Sequence, residues 1–90
     1  MIEEELIARI SERTGIKEKA VTRIIERMKK TMKKNLIAGE GIYLRGFGTF
    51  LIVERKAKIG QNIYENIPVV IPAHKLPVFK PSKKFKAMIK

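Results

Sequence analysis

The chain has 90 residues with 20 Lys+Arg against 9 Asp+Glu, a formal net charge of +11, and 44% hydrophobic residues. It has no Cys and one His, His74, which argues against a disulfide framework, a thiolate nucleophile and a metal site built on Cys or His clusters. No apolar run approaches the ~20 residues of a membrane span, the charged start MIEEELIARI does not read as a signal peptide, and the apolar content is too high for a disordered chain.

The first predicted element is a helix over residues 2–13. Ile2, Leu6, Ile7 and Ile10 fall at helical spacing, and Glu3, Glu4 and Glu5 suit the positive end of its dipole. Thr14-Gly15 ends it. A second helix runs from about Glu18 to Ala38, with Val21, Ile24, Ile25, Met28, Met32 and Leu36 in one apolar stripe. Lys17 is a poor N-cap there, and Gly39 is a good stop. The period then changes. Ile42, Leu44, Phe50 and Ile52 read as two strands joined by a tight turn at Gly46-Phe47-Gly48. Strand character continues from Thr49 past residue 58. Residues 62–66 read as a turn, with Asn66 suited to a left-handed position. Ile67 to Ile71 returns as a strand, and Pro68 and Pro72 exclude a central one. Leu76 to Lys80 is a further short strand. Pro81-Ser82 opens a last helix, with Ser82 as N-cap and Phe85, Met88 and Ile89 on one face.

Charge is unevenly placed. Residues 1–40 carry 10 basic and 7 acidic side chains, net +3, whereas residues 41–90 carry 10 basic and 2 acidic, net +8. That asymmetry points to a polyanionic partner, nucleic acid first. An anionic membrane or an acidic protein is the reading from another class, and RNA the alternative among nucleic acids. A lipid-binding helix would need its apolar face free, and the stripe of the second helix is wanted for a core. Glu54 and Glu65, the two acids of the basic half, have no His beside them in sequence, and no Gly-rich phosphate loop is present, so an enzyme is the weakest reading. No small-molecule substrate or cofactor is indicated.

Residues 55–72 form a hairpin arm without a core of its own. Removing those 18 residues leaves 72 for a body, and a core of ~70–80 residues rarely suffices without a staple. With Cys absent, oligomerisation is the remaining staple, and a symmetric dimer its simplest form. Phe47, Phe50 and Phe79 are assigned to that dimer core rather than to base stacking.

The string GFGTF at residues 46–50, Arg55, Gly60, Asn62 and then IPAHKLPVFKPSKKFK resembles the bacterial HU/IHF family of histone-like DNA-bending proteins, and the match runs without gaps along all 90 residues, read as one domain. The resemblance implies an α+β fold: an intertwined dimer of helix–helix–β-ribbon–helix subunits with two protruding β-hairpin arms. It implies a non-enzymatic, nucleoid-associated, cytoplasmic protein that binds double-stranded DNA in the minor groove, bends or condenses it with weak sequence preference, and pairs as a homodimer or with a paralogue. An IHF-like preference for particular sites is the alternative, since Arg45 matches a clamp position of some IHF-type chains. In HU and IHF themselves an apolar residue wedges between base pairs, at a general cost of a few kcal/mol per unstacked step. Ile63 stands where the family has Pro. By the same resemblance Arg55, Lys56 and Lys58 are basic arm positions. Gln61 replaces an Arg, Asn62 sits beside the wedge, and Lys80, Ser82, Lys83 and Lys86 form a phosphate-contacting flank. Glu3 departs from the basic residue common at its position. His74 is given no chemistry.

Overall fold

The computed structural model describes residues 1–61, the last by its backbone alone, and 67–90. By internal contacts the chain divides into two units, Met1–Lys34 and Asn35–Lys90.

The first unit holds helix α1 (Glu3–Thr14) and most of helix α2 (Glu18–Ile37). Ile2, at the N-cap of α1, offers no side-chain bond, so Glu3, Glu4 and Glu5 answer the dipole instead. The helix ends where Gly15 turns left-handed (φ 75°) and its N–H donates to the Ser11 carbonyl at 2.9 Å. Lys17 starts α2 through its backbone: its carbonyl accepts from the Ala20 and Val21 N–H groups at 3.0 Å. Lys29 of α2 reaches Glu3 Oε2 at 2.8 Å and Glu26 Oε1 at 3.1 Å. Its hydrogen bonds, to Glu3 first and then to Glu26, raise its pKa, and the bond from Lys29 is the largest cause of a lowered Glu26 pKa. Among the described residues, Ile7 and Val21 are the buried apolar side chains. Val21 of the α2 stripe is buried, whereas Ile24 and Met28 remain 60% and 50% exposed, so the stripe is only partly covered within its own unit.

The second unit begins with the end of α2. The N–H of Gly39 (φ 86°) donates to Leu36 and that of Glu40 to Asn35, the two-bond glycine cap. Strands β1 (Ile42–Leu44), β2 (Gly48–Arg55) and β5 (His74–Pro81) form an antiparallel sheet in the order β1-β2-β5. Strands β3 (Lys58–Gln61) and β4 (Pro68–Ile71) form a separate antiparallel ribbon, and helix α3 (Lys83–Met88) closes the chain.

Two strand boundaries differ from the sequence reading. The strand expected from Thr49 past residue 58 stops at Arg55, which pairs with His74 in the three-stranded sheet. The ribbon has its own ladder, from Lys58↔Ile71 to Gln61↔Pro68. Residues 56–57 and 72–73 lie between the two ladders, and Pro72 has no N–H with which to carry one ladder into the other. In the other direction, β5 is longer than Leu76–Lys80. It tolerates Pro77, opposite Ile52, because it lies at the sheet edge.

Candidate nucleic-acid interface

The GFGTF string is built around the ring of Phe79. Gly46 takes the left-handed turn (φ 76°), and the Phe47 N–H donates back to the Leu44 carbonyl at 3.0 Å. Gly48 has an ordinary φ but no room: a Cβ there would lie 2.5 Å from the Lys80 carbonyl oxygen and 2.6 Å from Phe79 Cε1. The vacated space admits the Phe79 ring, whose centroid is 5.0 Å from that of Phe47 and 4.7 Å from that of Phe50. Phe85 of α3 stacks on Phe47 at 5.3 Å. Sequence reasoning placed Phe85 on a helix face without joining it to this cluster. The cluster is only half covered, with Phe47 44% exposed.

The cluster also fixes the basic flank. The Ser82 N–H donates to the Phe47 carbonyl at 2.9 Å, which ties the start of α3 to the turn. Ser82 is the N-cap as expected, its Oγ accepting from the Phe85 N–H at 3.1 Å. Arg45 in the turn, Lys80 at the end of β5, and Lys83 and Lys86 on α3 are all exposed. The first turn of α3 contains no acid, although acids favour a helix start. Lys84, absent from the expected site residues, lies beside the turn: a Cβ on Gly46 would be 4.0 Å from its Cδ.

The arm residues fall into three places. Arg55 belongs to the end of the body sheet, opposite His74, and not to the ribbon. Lys56 lies between the two sheets. Lys58 opens the ribbon opposite Ile71. Alternation puts Lys58 on one ribbon face and the exposed pair Ile59 and Val70 on the other. The side chain of Gln61, with Asn62 and Ile63, lies outside the described residues. Lys75 lies outside the expected site residues. It stands opposite Glu54, its Nζ 3.9 Å from Glu54 Oε1. Among the described residues no helix is long and apolar enough to cross a membrane.

Residues 1–90 match the family model described as bacterial DNA-binding protein. The chain is 36% identical to DNA-binding protein HU of Thermotoga maritima over 90 residues, covering the whole of both chains. It is 38% identical over 86 residues to the SPbeta prophage-derived DNA-binding protein HU 2 of Bacillus subtilis, covering 96% of this chain and 94% of that one. Its fold is similar to the HU of an Anabaena HU–DNA cocrystal structure, with a TM-score of 0.89 and 29% identity over 99% of this chain and 97% of that one. Helix–helix–ribbon–helix order, the Phe79 pocket at Gly48 and full-length likeness agree: the chain belongs to the HU/IHF family of bacterial DNA-binding proteins.

Proposed function

We propose that this protein is a dimeric, non-enzymatic architectural protein that binds and bends double-stranded DNA, and that its two ribbons do so from the minor groove. The observation that carries this reading is the β3–β4 ribbon: its ladder is separate from the body sheet, its described side chains are mostly exposed, and cations stand at its start and root. Such a ribbon has its packing surface elsewhere, and a cationic one suits a duplex. Affinity comes chiefly from Arg45, Arg55, Lys56, Lys58, Lys80, Lys83 and Lys86 neutralising phosphates and releasing counterions, with Ser82 capping the helix that carries the flank. Selectivity comes from groove width and deformability, so flexible, A·T-rich, nicked or pre-bent duplexes are preferred over a fixed sequence. Gln61 and Asn62 are assigned to groove-edge contacts and Ile63 to the wedge. The exposed side of Phe47, with Phe50, Phe79 and the α2 stripe, forms the dimer core. Cytoplasmic location on the nucleoid follows from this activity.

The test is a salt titration of binding to linear, nicked and A·T-rich duplexes, with bending read by energy transfer. The expected result is a steep log–log salt slope, with bending lost in Ile63→Ala. Binding indifferent to salt overturns the electrostatic mechanism, and unchanged bending in Ile63→Ala removes the wedge.

A further inference from the structure

We infer that Arg23, Arg27, Lys30 and Lys34 of helix α2 bind the phosphate backbone of a second, straight duplex, so that one dimer holds two pieces of DNA at once. The inference rests on the DNA-binding reading above and adds to it a separate surface, built on the first unit without the ribbon.

The four cations recur at i, i+4, i+7 and i+11. At about 100° and 1.5 Å per residue they fall within an arc of about 60° and along a line of about 16 Å. All four are exposed. Val21, Ile24, Ile25, Met28 and Met32 lie outside the arc, and no apolar residue between Arg23 and Lys34 falls inside it. The dimer core therefore makes no claim on this side of the helix. The acids of α2, Glu18 and Glu26, lie outside the arc as well. Glu26 stands four residues before Lys30, the spacing of an ordinary helical ion pair, yet its Oε1 is 3.1 Å from Lys29 Nζ. Lys29 also takes Glu3, at 2.8 Å. One lysine outside the arc thus occupies both carboxylates. Among the described residues, none of the four cations has an ion-pair partner.

Charge and shape select the occupant. Four uncompensated positive charges on a rigid rod suit a regular line of negative ones. A duplex places one phosphate about every 3.4 Å of axis on each strand, so about 16 Å of helix runs beside about five of them. The arc has no apolar anchor. That counts against a protein partner, whose interface has a largely apolar core, and against a membrane, into which an amphipathic helix sinks its apolar face. Phosphate contacts carry no sequence information and need no bend. The ribbon, in contrast, acts on flexible or nicked DNA, so the two surfaces take different duplexes.

The test holds a nicked duplex on beads, saturates it with the full chain, and measures capture of a labelled linear duplex of unrelated sequence. The wild type is expected to capture it, with capture falling steeply as salt rises. Arg23→Gln/Arg27→Gln/Lys30→Gln is expected to cut capture about tenfold or more, while keeping its helical content and its affinity and salt slope for the nicked duplex. Arg9→Gln/Arg13→Gln/Lys17→Gln, which removes the same charge elsewhere in the first unit, is expected to leave capture intact. Arg23→Lys/Arg27→Lys, which preserves the charge, is expected to do the same. No capture by the wild type, or equal capture by the triple α2 variant, overturns the inference. A triple α2 variant that loses the nicked duplex in step with the linear one also overturns it, because the cations then serve the first duplex. Wild-type protein that sediments through this stripe with phosphatidylglycerol vesicles but captures no second duplex assigns the surface to a membrane, and overturns it too. Failure of the wild type to hold the nicked duplex overturns the DNA-binding reading as well.

Discussion

Gly48→Ala is the substitution that most sharply tests the packing beneath the basic flank. Gly48 has no positive φ to defend, so any loss comes from the added methyl group. That methyl would stand 2.5 Å from the Lys80 carbonyl oxygen and 2.6 and 2.7 Å from two atoms of the Phe79 ring. Carbon contacts settle near 3.5–4.0 Å, so ring and methyl must separate by about 1 Å. The ring cannot give that distance freely, because Phe47 and Phe50 lie against it at 5.0 and 4.7 Å. The backbone oxygen can move only with the β2–β5 ladder. Overpacking of this kind costs about 3 kcal/mol. Gly46→Ala has the opposite character. Its site is open, with Lys84 Cδ 4.0 Å away, but its φ is 76°, which costs an L-residue about 1 kcal/mol. Urea unfolding of both variants at one protein concentration should therefore rank Gly48→Ala well below Gly46→Ala. Phe79→Leu should recover part of the Gly48→Ala loss in the double variant, since it removes the ring from the clash. A Gly48→Ala protein within 0.5 kcal/mol of the wild type, a threshold on the order of ordinary surface changes, refutes the account of why the motif reads Gly-Phe-Gly.

Three further outcomes are expected. Ser82→Ala removes the bond from the Phe85 N–H and should lower stability by about 1 kcal/mol in urea unfolding. Lys58→Ala should reduce the log–log salt slope of DNA binding by about 1.8 for a dimer, two phosphate contacts at ~0.9 each, while Lys19→Ala, in the first unit and outside the proposed interface, leaves it unchanged. Lys29→Met breaks the link to Glu3 and Glu26. Because the folded-state Glu26 pKa is lowered, its contribution is present above the ordinary Glu range and disappears as pH falls through the lowered value. Thermal unfolding of wild type and Lys29→Met should thus differ at neutral pH and converge in acid.

The parts of the fold legible in the sequence were those set by local rules. Gly15 and Gly39 end helices by left-handed caps, the 3.6-residue stripe marks α2, and Ser82 caps α3, each from a residue type with one dominant use. The break between Arg55 and Lys58 was not legible, because strand-type residues stand on both sides of it, Leu51–Val53 before and Ile59 after. What interrupts pairing is Pro72, on the other strand and some 15 residues away, and a one-strand pattern does not reveal its partner's missing donor. The site divided in the same way. Motif and charge pointed to Arg45, Lys58, Lys80 and the Ser82–Lys86 flank, which the structure leaves exposed apart from the half-buried N-cap Ser82 and Phe85. The Glu54↔Lys75 and Arg55↔His74 pairings at the arm root emerge only from the register of β2 against β5. The role of Gly48 likewise emerges only when Phe79, 31 residues later, is laid across it.

The central claim is that the arm is shaped by the duplex it grips. The direct measurement replaces residues 57–72 by a two-glycine turn and compares trimmed and intact chains on a nicked duplex by energy transfer and binding isotherms. The trimmed chain should keep its helical content and self-association, lose at least tenfold in affinity and leave the duplex straight. A trimmed chain that binds and bends as strongly as the intact protein contradicts the account.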